Sequence, residues 1–131
     1  MSEKTPVVRG LRDIYPGESE RFDMVERSMI EIIRKYGYQE IRLPLLEAID
    51  LFSRGLGEAT DAVEKEMYTL EDRDHDILAL RPEGTASCVR AVIDRNMTRE
   101  GKPRLWYAGP MFRYERPQKG RYRQFYQIGA E

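Results

Sequence analysis

A chain of 131 residues with 22 Lys and Arg against 23 Asp and Glu carries a formal net charge of −1, so global electrostatics dictate no partner. At 40% hydrophobic residues it has material for one domain and a modest core. The single cysteine, Cys88, excludes an internal disulfide framework and a cysteine zinc site; with no apolar run of membrane-spanning length and no signal-peptide core in MSEKTPVVRG, the chain is expected to be soluble and cytoplasmic, without a membrane partner.

Residues 1–16 have turn chemistry and no period, and read as an arm draped over the domain. From 18 to 36, Phe22, Val25, Met29, Ile32, Ile33 and Tyr36 recur at spacings of three and four, an apolar stripe on a helix that Gly37 is placed to end. Residues 38–47 read as a strand with Ile41, Leu43 and Leu45 on one parity; Pro44 cannot donate to a ladder, which puts the strand at an edge or subunit boundary. A short helix over 50–56 and an exposed loop or helical turn over 57–66 follow. Residues 67–71 and 77–81 form a hairpin across 72–76, and the only histidine, His75, sits in its turn with no second His or Cys to complete a metal site or catalytic pair.

Arg81-Pro82-Glu83-Gly84-Thr85 then precedes Ala86, Val89, Val92 and Ile93 at helical spacing: a strand, a tight turn and a helix start with Thr85 as N-cap. Cys88, one turn in, reads as a small buried packing residue. The last stretch is a hairpin with limbs at 105–115 and 122–128, punctuated by Pro117 and Gly120. If the odd positions of both limbs share a face, that face carries Met111, Arg113, Glu115, Arg121, Arg123, Phe125, Gln127, Gly129 and Glu131. This sequence of cationic, aromatic and acidic chemistry suits the floor for an elongated ligand with a phosphate end; the alternative is a hairpin whose charges are merely solvated. From 104 to 123 only Glu115 opposes Arg104, Arg113, Arg116, Lys119, Arg121 and Arg123, so a polyanion would be drawn to that end.

GPMFRYERPQKGRYRQFYQIGAE, residues 109–131, has a Phe-Arg-x-Glu element, a basic loop and an Arg-x-Arg-Gln-Phe return limb in contiguous order. It resembles motif 2 of class II aminoacyl-tRNA synthetases, specifically of the histidyl-tRNA synthetase family, and the similarity extends upstream to Val8-Arg9-Gly10. Tyr126 departs from the His common in that family, at an even position away from the ligand parity.

The resemblance implies an α+β fold, an antiparallel sheet with flanking helices like the class II catalytic core and truncated before motif 3. Its parts would be an arm (1–16), the motif 1 helix and strand (17–47), a hairpin, PEGT turn and helix (67–96), and the motif 2 hairpin (105–131). Motif 1 builds the dimer interface in the family, which implies a homodimer here. The implied reaction is attack of the L-histidine carboxylate on the α-phosphorus of ATP, then transfer of histidine to tRNA(His), by positioning and charge stabilisation rather than a covalent enzyme intermediate. By resemblance Arg113 is catalytic, contacting the α-phosphate and the substrate carboxylate. Glu115 would hold the adenine amino group, Phe125 would stack on adenine, and Arg121 and Arg123 would reach the terminal phosphates. Glu83, Thr85 and Gln127 would hold the α-amino group with Gly84 clearing room, and Glu131 would accept from the imidazole. Mg2+ would arrive with ATP, with no protein ligand assigned. The family's third motif, second histidine segment and anticodon domain would follow residue 131, so a catalytic fragment with weak residual activation and an exposed sheet edge is expected. Two other readings stand beside it: a non-catalytic histidine-sensing regulatory paralogue, and a basic RNA-binding module.

Overall fold

In the computed structural model, which describes residues 3–53 and 66–131, the chain is an α+β assembly of two three-stranded sheets flanked by helices. Helix α1 (Glu18–Lys35) has Glu18 and Glu20 in its first turn and Arg34 and Lys35 in its last, both favourable to the helix dipole. The Glu20 carboxylate reaches back to the Gly17 N–H, and Gly37, at φ 82°, closes the helix by donating to Arg34 O at 2.9 Å. The apolar stripe forms as the spacing indicates, yet none of the helix's residues is buried: Met29 is 47% exposed and Ile32 57%.

The first sheet has the order β1 (Gln39–Glu40), β5 (Leu105–Phe112), β6 (Gln124–Ala130), with β1 parallel and β6 antiparallel to β5. The second has the order β2 (Leu46–Ala48), β4 (Ile77–Leu80), β3 (Thr69–Glu71), all antiparallel. A short helix α2 (Asp50–Ser53) follows β2; α3 (Thr85–Asp94) and a 3-10 turn (Met97–Glu100) link β4 to β5. The helix expected to Leu56 and the stretch at 57–66 fall largely outside the described residues, with only Glu66 inside.

The strand expected over 38–47 is two strands, one in each sheet. Its middle spends its hydrogen bonds elsewhere: Ile41 N donates to Trp106 O at 2.9 Å, while Leu43 O and Leu45 O accept from the Arg81 guanidinium (3.2 Å) and the Arg81 N–H (2.9 Å). Arg81 is 3% exposed and joins the sheets at further points: its carbonyl accepts from Phe112 N and its Nε donates to Pro110 O, both at 2.9 Å. Two carbonyls, Pro110 O and Leu43 O, thereby compensate a desolvated cation whose burial lowers its pKa. Gly109 makes room, since a Cβ there would stand 2.6 Å from Arg81 Nη2.

The β5–β6 register pairs Met111 with Phe125, Gly109 with Gln127 and Tyr107 with Gly129, so the odd positions do share one face. On the β5 side that face is core: Leu105, Tyr107 and Met111, the last 0% exposed, pack with Cys88 of α3. The even face looks toward α1, where Tyr126 meets Phe22 edge-on at 6.0 Å. A second cluster of Phe52, Met67 and Ala79 lies by the second sheet.

Candidate functional site

At the start of α3 the N-cap position belongs to Gly84, and Thr85 is the first helical residue. Capping comes from Glu83, whose carboxylate accepts the Thr85 and Ala86 N–H groups, the latter at 3.1 Å. Thr85 was expected to cap with its hydroxyl. That hydroxyl is instead donated across the molecule to Glu131 Oε1 at 2.6 Å, tying the turn to the end of β6. Tyr107 donates to the same oxygen at 3.2 Å. Its hydroxyl pKa is pushed up, first by burial, with the Glu131 charge adding to it.

Gly84 was expected to clear room for a ligand, and Gly129 lies on the same face. The ring of Tyr107 occupies that room: a Cβ at Gly84 would lie 2.1 Å from Tyr107 Cε2, and one at Gly129 2.3 Å from Cζ. Tyr107 is the residue that sequence reasoning missed. The available signal was its odd parity, which sets it opposite Gly129.

Gln127 is on the same face, and among the described residues its buried Oε1 has no hydrogen-bond partner. Next along, Arg113 donates Nε to Pro82 O at 3.1 Å and lays its guanidinium 5.1 Å from the Phe125 ring centroid. Phe125 is half-buried against the Met111 cluster, so one face of the ring is already engaged. No carboxylate is ion-paired with Arg113 among the described residues.

At the loop end Arg121 and Glu115 form an ion pair at 3.0 Å, with the Arg121 side chain 59% exposed. Arg123 has a different environment. Its Nε donates to Glu115 O at 2.9 Å, its backbone N–H to Gly10 O at 2.8 Å, and its guanidinium covers the Tyr114 ring at 4.1 Å. Gly10 of the arm thus lies against Arg123: it has φ 84°, and a Cβ there would lie 2.5 Å from Arg123 Cδ. The structure therefore brings together three groupings: Glu83, Gly84 and Thr85 with Glu131; Arg113 with Phe125; and Glu115 with Arg121 and Arg123. His75 lies apart in the β3–β4 turn, paired with Glu71.

A family model described as histidyl-tRNA synthetase matches residues 10–131. The chain belongs to the histidyl-tRNA synthetase family. A histidine–tRNA ligase from Marinomonas sp. (strain MWYL1) is 56% identical over 131 residues, covering the whole of this chain and 31% of that relative. The apo histidyl-tRNA synthetase of S. aureus superposes with a TM-score of 0.77 at 39% identity, over 97% of this chain and 28% of that one. A Bacillus halodurans C structure described as an ATP phosphoribosyltransferase regulatory subunit/histidyl-tRNA synthetase gives a TM-score of 0.77 at 27% identity, over 96% of this chain and 32% of that one. The chain thus spans about a third or less of the length of the relatives it matches. The α+β, class II catalytic-like architecture implied by the family resemblance is borne out. Among the described residues, no helix is long and apolar enough to cross a membrane, and no group of three or more His, Cys, Asp or Glu side chains could hold a metal ion.

Proposed function

We propose that this chain forms the ATP- and L-histidine-binding half of a histidine-activating site in the cytoplasm, and that with the rest of the family's machinery it charges tRNA(His). The observation that carries this reading is what the hairpin and the PEGT turn present together: Glu131 held by Thr85, Gln127 with a buried Oε1 that has no partner among the described residues, and an Arg113 guanidinium not neutralised by any described carboxylate.

In the proposed reaction a carboxylate oxygen of histidine attacks the α-phosphorus of ATP. A carboxylate–phosphorus bond forms, the bond to the β-phosphate bridging oxygen breaks, and pyrophosphate leaves with that electron pair. Arg113, fixed by Pro82 O, sits where charge builds between the two reactants. Gln127 and Thr85 serve the α-amino end, with Glu83 holding the turn through its cap. Glu131 receives a ring N–H. Phe125, half-buried with the Arg113 guanidinium over its ring, serves the adenine, and Glu115 the adenine amino group. Arg121, exposed at the loop, reaches the terminal phosphates, while Arg123 contributes by pinning the loop to the arm. The nucleotide's phosphate oxygens suit Mg2+, which would come with ATP rather than on protein ligands.

Homodimerisation through the motif 1 segment belongs to the same proposal, supported by the uncovered apolar stripe of α1. The 27% identical structure whose description includes a regulatory subunit favours a second reading, a histidine-responsive regulator. An RNA-binding module is less well supported, because Arg113 and Arg123 are engaged with protein carbonyls and rings. Histidine-dependent exchange of labelled pyrophosphate into ATP separates catalyst from regulator.

A further inference from the structure

We infer that Tyr107 is a specificity-determining positioning residue: together with Thr85 it occupies one oxygen of Glu131, Oε1, and so turns the other, Oε2, toward a ring N–H of the amino acid. The inference rests on the histidine reading of the site and adds a residue and a discrimination rule to it.

The geometry has two parts. First, the hydroxyls of Thr85 and Tyr107 both donate to Glu131 Oε1, at 2.6 and 3.2 Å, and Oε2 accepts from no described side chain. The 2.6 Å bond from Thr85 is short and strong, and the longer one from Tyr107 adds a second direction to it, so the carboxyl group is oriented before a ligand arrives. With both hydrogens spent on Glu131, neither hydroxyl is left to donate to a ligand. The free oxygen is an acceptor only, and a ring without an N–H there meets unshared electron pairs. Second, the Tyr107 ring cannot swing away. Gly84 and Gly129 leave a slot so tight that a Cβ from either side would lie within 2.3 Å of it, and the residue is 3% exposed. The ring therefore sets the spacing between the PEGT turn and the end of β6, and its hydroxyl sets the angle of Glu131.

The test is calorimetric binding to the 131-residue chain of L-histidine and of β-(2-thienyl)-L-alanine, a ring of similar size without N–H, for the natural chain, Tyr107→Phe, Glu131→Gln and the double variant. Tyr107→Phe keeps the ring in its slot and removes only the hydroxyl. It is expected to weaken histidine about tenfold, to leave the thienyl analogue unchanged, and to have no effect once Glu131 is already Gln. An unchanged histidine-to-thienyl ratio in Tyr107→Phe, or an equal loss in both backgrounds, overturns the inference and leaves the histidine reading standing. A natural chain that does not prefer histidine over the thienyl analogue overturns both.

Discussion

At Gly84 and Gly129 an added methyl group would stand 2.1 and 2.3 Å from the ring of a buried tyrosine, and neither glycine has a left-handed backbone that would itself forbid alanine. Replacing Gly by Ala at a compatible site gains about 0.4–1 kcal/mol through the unfolded chain. Overpacking costs about 1–3 kcal/mol, and because Tyr107 has nowhere to go it wins. Gly84→Ala and Gly129→Ala are thus expected to be less stable by roughly 1–2 kcal/mol in urea unfolding; stabilisation by either would contradict the slot. Alkaline pH reads the same neighbourhood. Burial pushes the Cys88 thiol above its ordinary 9.0 and the Tyr107 hydroxyl above its ordinary 10.0. Folded chains hold these protons after unfolded chains have lost them, so stability is full below pH 9 and falls as pH rises through 9 and 10 toward the folded values. Urea midpoints from pH 8 to 11 should show this fall, and Tyr107→Phe should flatten its upper part. At this scale parity in the hairpin placed Tyr107, Met111, Phe125, Gln127 and Gly129 on one face, as the register has them. It could not show that Tyr107 fills the slot, because Gly84 reaches it only through the fold.

Among the elements, α1 and α3 were legible from their apolar period, and the terminal hairpin from limbs rich in strand-favouring residues punctuated by Pro117 and Gly120. The β2–β4 part of the second sheet was not, since residues 38–47 alternate like one strand, and the division depends on Arg81, remote in sequence and held under Gly109. The hairpin limbs also shift: β6 runs to Ala130, and β5 ends at Phe112 because, although the Arg113 N–H still donates to Arg123 O, the Arg123 N–H turns away to Gly10 O of the arm. The exposed stripe on α1 leads to a test of the dimer. Met29→Glu with Ile32→Glu places carboxylates on positions 47% and 57% exposed in the monomer, so helix content by circular dichroism should hold. Covered by a second copy, those charges would be desolvated, and self-association measured by sedimentation should weaken roughly a hundredfold or more. A natural chain that stays monomeric at micromolar concentration, or a variant that dimerises undiminished, would contradict the proposed interface.

For the molecule as a whole, family membership and α+β class followed from contiguous motif residues, whereas the pairing of strands into two sheets follows from long-range bonds that no local pattern carries. We propose that the β5–β6 face, closed by the PEGT turn, activates histidine through Arg113 and Glu131. The decisive measurement is histidine-dependent exchange of labelled pyrophosphate into ATP by the purified chain, set beside Arg113→Ala, Glu131→Ala and other amino acids in place of histidine. Exchange should need histidine, fall by about two to three orders of magnitude or to background in Arg113→Ala, and likewise be lost in Glu131→Ala. No exchange by the natural chain, or exchange undiminished in either variant, would contradict it.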